Sequence, residues 1–432
     1  MTQNLAGIPA TKRRGSFIMG LLWLTMVTGF PCVISGFTWA KTNYPVSDIT
    51  ISLLLSYFIL VIYAFLASYL GSLTGQTYTI MTRSIFGLWG SYIISIIVIG
   101  IASLWYAMTA LFLSTALVDL FALPLNAGIL AAILAILMAF NNLFGFKGIT
   151  VFAGYIAAPA LIIWILLVLA KLHPDFSQII NQVKLTNLSF NSFAGVSSFV
   201  LGFGAWGNEA DFWRYSKPHK FKILIALILT IFVGQVIFPL TGYVIGKLNS
   251  HSAIIELPKI MTHYTYCGNS IITALVLIAS YFAVNDSCLY GLANAVKNIY
   301  PVSRKKIVII VSLITAIMAY YLNLYPNAFL WIANLSASIL PQASILLIVE
   351  WFLFTRNDHN KFSLSINDNT KIKWLGCLAL LCGYLAGFIN SRLSLQNTND
   401  FNSSNVVFIW LVSLIAYCIL KLIFKEAKQL IK

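Results

Sequence analysis

Leu201-Gly-Phe-Gly-Ala-Trp-Gly-Asn-Glu-Ala-Asp211 is the stretch that decides how this chain folds. It continues an apolar run long enough to span a bilayer, yet Gly202, Gly204 and Gly207 weaken any helix there, and the polar run Asn208-Glu209-Ala210-Asp211 follows at once. The first apolar run has a comparable defect at Gly29-Phe30-Pro31, where proline removes a helical hydrogen bond. Backbone groups freed at membrane depth are tolerated only where they line a cavity or find partners. Either break alone reads as an ordinary kink, since glycine and proline are common in membrane helices. Two breaks in matching positions, five spans apart, point instead to an inverted-repeat carrier, with spans one to five and six to ten as the repeats.

Composition agrees. Hydrophobic residues make up 59% of the chain and charged residues 9%, and the mean hydropathy is +0.87, values of an integral membrane protein. A crossing takes about 20 apolar residues. Twelve candidate spans are centred near Thr28, Val61, Leu104, Leu137, Ile163, Leu201, Phe232, Ser280, Leu313, Ser338, Cys382 and Leu414. Their runs are continuous rather than alternating, so an all-α membrane protein is expected, not a barrel. The polar breaks near 356–371 and 390–405 are only loop-sized. The expected organisation is a cytoplasmic tail at 1–15, a ten-helix transport core at 16–356, and two additional helices with a cytoplasmic tail at 357–432.

With the N-terminus assigned to the cytoplasm, the inner segments carry the basic runs at 12–14, 214–222, 297–306, 356–373 and 421–432, together with Arg83 and Lys147. Of the 27 lysines and arginines only Lys41, Lys171, Lys184, Lys247, Lys259 and Arg392 fall on the other side. Both termini are therefore expected in the cytoplasm, with the chain in the cytoplasmic membrane. Topology and anionic headgroups account for the net charge of +15 better than nucleic acid does. The first run is long enough to be a retained helix rather than a signal peptide. Cys32, Cys267, Cys288, Cys377, Cys382 and Cys418 show neither a disulfide framework nor a metal-ligand spacing.

Polar residues inside a span mark function most directly. Tyr281-Phe-Ala-Val-Asn285-Asp286-Ser-Cys-Leu-Tyr290 sets a carboxylate and an amide in the middle of the eighth span, where a charge is costly. Asp286 is a candidate to load and release a proton, or else to pair with a neighbouring helix. Glu209 and Asp211, beside Arg214, are expected to form a gate or an ion pair with the loop containing Arg83.

These residues resemble the nucleobase:cation symporters of the cytosine-permease branch, from about Gly15 to Arg356. Four blocks carry the resemblance: Gly71-Ser-Leu-Thr-Gly75 with Thr79 and Arg83-Ser-Ile-Phe-Gly87; Ala210-Asp-Phe-Trp-Arg-Tyr215; Asn285-Asp286 with Leu289-Tyr290; and Leu335-Ser-Ala-Ser-Ile-Leu-Pro341. The resemblance implies a leucine-transporter-type core of five plus five helices in an inverted repeat, followed by two C-terminal helices. It implies a heterocyclic substrate held halfway through the membrane and moved inward with a sodium ion or a proton. Trp105 matches the family's stacking aromatic. The second face should come from Phe203, or with a one-residue shift in register from Trp206, and backbone groups at Gly202, Gly204 and Ala205 could complete the edge contacts. The chain holds 11 Trp, 20 Tyr and 30 Phe, so position rather than identity singles Trp105 out. Asn285 matches the family's edge-reading amide, which offers both a donor and an acceptor.

Two departures bear on specificity and coupling. Ala102 stands where a cytosine permease would have glutamine, which opens the reading to purines, hydantoins, allantoin-like rings and thiamine-precursor pyrimidines. Ala283 and Val284 occupy positions where the family's sodium site has hydroxyls. Gly29, Phe30, Ser280 and Asp286 are the residues left to handle sodium or a proton; no other cofactor is expected, and the protein is expected to work as a monomer in the lipid bilayer.

An embedded enzyme would need a nucleophile with its base, a metal cluster or paired carboxylates. His173, His219, His251, His263 and His359 all fall in loops or span ends, and no HExxH or GxSxG motif is present. A channel would repeat a filter motif or a ring of charge. A non-transporting sensor is separated from a carrier by saturable uptake.

Overall fold

The computed structural model describes residues 7–183, 188–265, 268–325, 328–355, 358–367, 370–393 and 405–430. Lys184, Cys267, Arg356, Lys432 and the expected core boundary at 356–357 lie outside the described residues. Among the described residues every regular element is helical, apart from one isolated bridge between Arg14 and Ser216.

The helices are numbered along the chain. α1 has two halves, Ser16–Val27 and Phe30–Lys41. Then come α2 (Val46–Thr74), α3 (Arg83–Phe121), α4 (Ala127–Leu143) and α5 (Gly145–Ile180). α6 is also halved, into Phe190–Gly204 and Glu209–Trp213. α7 (Lys220–Leu248), α8 (Ser270–Ile299) and α9 (Arg304–Leu322) follow. α10 runs over Ala328–Val349 and on through Glu350–Phe354, and α11 (Trp374–Leu393) and α12 (Asn405–Leu430) close the chain. Among the described residues eight helices are long and apolar enough to cross a membrane, and the bent pair of α1 makes a ninth. α4, α6 and α11 are shorter or interrupted. All twelve expected centres fall on these helices, Thr28 on the break of α1 itself. Leu54, Phe58 and Ile62 form an exposed apolar stripe along α2, as a lipid-facing surface requires.

Packing repeats with a period of five helices. α1 packs on α7 as α6 packs on α2, α3 lies against α8, and α4 pairs with α9. Each partnership is mapped onto another, or onto itself, by exchanging the two five-helix halves, as an inverted repeat demands.

Local chemistry explains both breaks. In α1, Thr28 and Gly29 are extended and the halves meet at 43°. Gly29 is needed for space: a Cβ there would sit 2.7 Å from Ser280 Oγ. In α6, Ala205 is extended, and Gly207 has φ +77°, a left-handed conformation that favours glycine.

The basic residues segregate. At one end, Arg14 donates to Thr150 Oγ1 (2.7 Å), Arg83 to Asn298 Oδ1 (2.7 Å) and Arg304 to Asn142 Oδ1 (2.9 Å). At the other end, Lys41 reaches the carbonyls of Asn249 and Ser250, Lys171 those of His263 and Thr265, and Lys259 pairs with Asp119 at 3.0 Å.

Candidate substrate-binding site

Trp105 sits at the middle of α3, fully buried, where the broken part of α6 crosses it. Its ring centroid lies 5.6 Å from Phe203, 5.7 Å from Trp206 and 6.0 Å from Phe329 of α10. These rings meet edge to face or tilted, arrangements that the aromatic quadrupole favours. Phe203 also stacks on Phe199 at 5.5 Å with planes 13° apart. From Phe329 the contacts continue through Phe112 and Tyr281 to Phe30, so an unbroken chain of rings links the breaks of α6 and α1. Trp105 Nε1 is buried without a hydrogen-bond partner among the described residues. A base stacked between two rings needs about 7 Å from ring to ring. A flat ring held between Trp105 and Phe203 would therefore need the broken segment of α6 to move away from α3.

The backbone at the α6 break is held by named partners. Trp206 N donates to Glu209 Oε1 (2.9 Å), Gly207 N to the Tyr63 hydroxyl (2.9 Å), and the Tyr63 hydroxyl in turn to Glu209 Oε2 (3.3 Å). Trp206 Nε1 donates to the Phe203 carbonyl (2.6 Å), and Ser336 Oγ to the Gly202 carbonyl (2.8 Å). Ala205 N reaches back to the Leu201 carbonyl, and Gly204 packs against Leu60.

Asn285 lies one turn beyond Trp105 on the facing helix. Its amide donates to the Tyr106 carbonyl (3.3 Å) and to Met138 Sδ (2.6 Å), and its Oδ1 accepts from Thr109 Oγ1. In this arrangement it clasps α8 to α3 and α4.

The residues expected around the cation fall into two groups. Gly29, Phe30 and Ser280 come together: Phe30 N donates to Ser280 Oγ at 3.3 Å, and both residues line a small cleft with Trp164, Phe238, Met261 and Thr273. The carbonyl of Val27, freed by the break, accepts from Gln235 Nε2 (2.5 Å). Asp286 faces α4 instead. Its two oxygens accept from Asn141 and Asn142 Nδ2, each at 2.9 Å, and Asn142 Oδ1 accepts from Arg304. Among the described residues no group of three or more His, Cys, Asp or Glu side chains is arranged to hold a metal ion.

Asp211 reaches the loop that contains Arg83, though through backbone, accepting from Tyr78 N (2.6 Å), and its other oxygen accepts from the Asn294 side chain of α8 (3.0 Å). Arg83 itself turns to Asn298. Arg214 donates to the hydroxyl of Tyr290 (3.0 Å), and the Tyr215 ring beside it stacks on Phe146 at 3.7 Å. Phe329, Phe112, Tyr63 and Gln235 were not singled out from the sequence. Nothing local marks them, because each is defined by a contact between helices far apart in the chain.

A ten-helix inverted repeat, with two interrupted helices and an aromatic cluster at their crossing with α3, defines a membrane carrier of the alternating-access class. More narrowly, the chain belongs to the family of permeases for cytosine/purines, uracil, thiamine and allantoin, whose family model matches residues 18–419. It is a multi-pass membrane transporter and not an enzyme. It is 25% identical over 394 residues to the cytosine permease of Escherichia coli (strain K12), an alignment covering 88% of this chain and 87% of that protein. Its fold is similar to that of Mhp1, a nucleobase-cation-symport-1 family transporter. The closed form with bromovinylhydantoin bound gives a TM-score of 0.73 at 16% identity, covering 97% of this chain and 94% of the other. The inward-facing form of Mhp1 gives 0.70 at 16% identity, covering 98% and 94%. A Na+-coupled sialic acid symporter gives 0.62 at 11% identity, covering 94% and 90%.

Proposed function

We propose that this protein imports a nucleobase or a related planar heterocycle across the cytoplasmic membrane, coupled to the entry of a cation. The observation that carries the reading is the enclosure of Trp105 by Phe203, Trp206 and Phe329 at the break of α6. Aromatic faces bind flat rings at roughly 1–3 kcal/mol per stacked base, and the two halves of α6 form a natural hinge for admitting one. Membership of the permease family supports the same class of substrate. Ala102, beside Trp105 on α3, leaves the edge of the site without an amide at that position, which favours a ring larger than cytosine or one read by backbone.

For the cation we propose a proton carried by Asp286. Around the break of α1, Ser280 Oγ accepts from Phe30 N and the Val27 carbonyl from Gln235, while Thr28 Oγ1 and Gln235 Oε1 are buried without a partner among the described residues, so this break offers oxygens to a cation but no group that titrates. Asp286, by contrast, faces two amides, each with a donor and an acceptor. Their donors satisfy the carboxylate, and turning one amide over would satisfy the acid. The basic residues that segregate to the N-terminal end support cytoplasmic termini. We assign 1–15 to a tail, 16–356 to the transport core and 357–432 to the additional helices, and take the monomer as the working unit.

The test is uptake of labelled cytosine, uracil, adenine, guanine and hypoxanthine into proteoliposomes, with a proton or a sodium gradient imposed separately. Concentrative uptake of one base under the proton gradient is expected. Uptake under the sodium gradient alone would move the coupling to Gly29, Phe30 and Ser280. No uptake of any base by folded protein would shift the substrate to hydantoins, allantoin or thiamine precursors.

A further inference from the structure

α12 lies outside the inverted repeat, yet one face of it is tied to the core at helical spacing. Trp410, Ser413, Tyr417 and Lys421 follow one another at three- and four-residue steps, so they share a face. Trp410 Nε1 donates to the Ala337 carbonyl (2.9 Å), Ser413 Oγ to Gln342 Oε1 (3.0 Å), the Tyr417 hydroxyl to Glu350 Oε2 (2.8 Å), and Lys421 pairs with Glu350 at 2.9 Å. All these acceptors belong to α10. The face therefore clamps α12 along α10, the helix that also brings Phe329 to Trp105 and Ser336 to the Gly202 carbonyl.

Trp410 does more than join this clamp. Its ring stacks on Tyr63 of α2, with centroids 6.1 Å apart and planes 29° apart. The Tyr63 hydroxyl accepts from Gly207 N and donates to Glu209, whose other oxygen accepts from Trp206 N. The tyrosine thus holds two of the backbone amides freed by the α6 break, one directly and one through Glu209. Tyr63 is buried, and a tyrosine ring on a helix retains freedom about its side-chain torsions unless neighbours fix it. The indole of Trp410 is the ring stacked against it.

We infer that Trp410 and Tyr63 are positioning residues, through which α12 sets the geometry of the α6 break at Trp206 and Gly207. This gives the C-terminal pair of helices a role in substrate affinity, and it rests on the reading of the Trp105 cluster as the substrate site. Neither residue need touch the heterocycle. The hydroxyl of Tyr63 fixes the broken segment, and the segment presents Trp206 and Phe203 to Trp105.

The experiment combines hydrogen–deuterium exchange of the peptide spanning 205–213 with uptake kinetics in proteoliposomes. It compares wild type, Tyr63→Phe, Trp410→Leu, Trp410→Phe and Lys421→Met. Tyr63→Phe keeps the ring and removes only the hydroxyl. It is expected to speed exchange at Trp206 and Gly207 and to raise KM about tenfold with little change in maximal rate, since the buried Gly207 N loses its hydrogen-bond partner. Trp410→Leu should share that pattern, and Trp410→Phe, which retains a ring to stack, should restore near-wild-type exchange and KM. Lys421→Met loosens the far end of the clamp and should lower the melting temperature without changing exchange at 205–213. Unchanged exchange at 205–213 in both Tyr63→Phe and Trp410→Leu would overturn the inference, as would a fall in melting temperature with KM unaltered. The exchange measurement needs no substrate. A wild-type protein that transports none of the bases would therefore count against the proposed function while the exchange pattern still decides this inference.

Discussion

Trp105 of α3 and Phe203 of α6 meet edge to face, their centroids 5.6 Å apart and their planes 71° apart, and this contact joins the stretch of α3 beyond its kink at Gly87 to the edge of the broken α6. The two rings are too close for a base to lie between them, so in the proposed site substrate entry would require movement of α6. That coupling is what an alternating-access carrier requires, because the ligand can favour only a state with which it interacts differently.

The second stacking face is expected from Phe203. Its ring is fixed by Phe199 on one side and Trp105 on the other, whereas Trp206 is half-buried and held by a hydrogen bond to the Phe203 carbonyl. Phe203→Leu should raise KM roughly tenfold, in line with the loss of one aromatic face, and Trp206→Leu should raise it less. Uptake kinetics check the order; the reverse order would assign the face to Trp206.

Asn285→Ala is expected to lower both uptake and thermal stability. The substitution leaves the Thr109 hydroxyl to the Trp105 and Tyr106 carbonyls of its own helix and removes the clasp between α8 and α3, a loss of about 0.6–1.7 kcal/mol for a polar contact inside a membrane. A melting curve in detergent beside an uptake assay reads both effects. A large loss of uptake with an unchanged melting temperature would mark Asn285 as a substrate contact rather than a clasp.

Gly29→Ala should impair transport through contact rather than backbone strain, because the extended conformation at Gly29 suits any residue, while the new Cβ would meet Ser280 Oγ at 2.7 Å. Overpacking of this kind costs about 1–3 kcal/mol. Removing the hydroxyl in Gly29→Ala/Ser280→Ala should restore part of the uptake. A double variant no better than Gly29→Ala alone would mean that the Ser280 contact is not the obstacle.

Asp286→Asn is expected to leave substrate exchange across the membrane intact and to abolish its response to a proton gradient. The amide keeps the volume of the side chain and one acceptor for Asn142, meets Asn141 as a donor once that amide is turned over, and carries no titrating group. Counterflow, compared with uptake under a pH gradient, separates the two behaviours. Retention of gradient-driven uptake would remove Asp286 from coupling and leave it as the structural link between α4, α8 and, through Asn142, Arg304 of α9.

Much of the architecture is legible in the sequence because its causes are local. Gly207 needs its left-handed backbone and Pro31 cannot continue a helix, so both breaks are written in residues that stand at them. The cluster at Trp105 is legible in part: Phe203 and Trp206 belong to the break, but Phe329 reaches Trp105 only through the register of α10 against α3, which no neighbouring residue encodes. Ser280 and Asp286 look like one group along the chain. They are about one and two-thirds helical turns apart, so one faces the break of α1 and the other faces α4. Gln235, which meets the freed Val27 carbonyl, lies about 200 residues beyond it, a pairing set by the packing of α7 on α1.

Stacking of the heterocycle on Trp105 is the contact on which the proposed transport rests. Its most direct test is equilibrium binding of the transported base to purified wild-type protein and to Trp105→Leu, each with a melting curve. Binding weakened at least about tenfold, with the melting temperature preserved, is the predicted result. Equal affinity in two folded proteins would contradict the account.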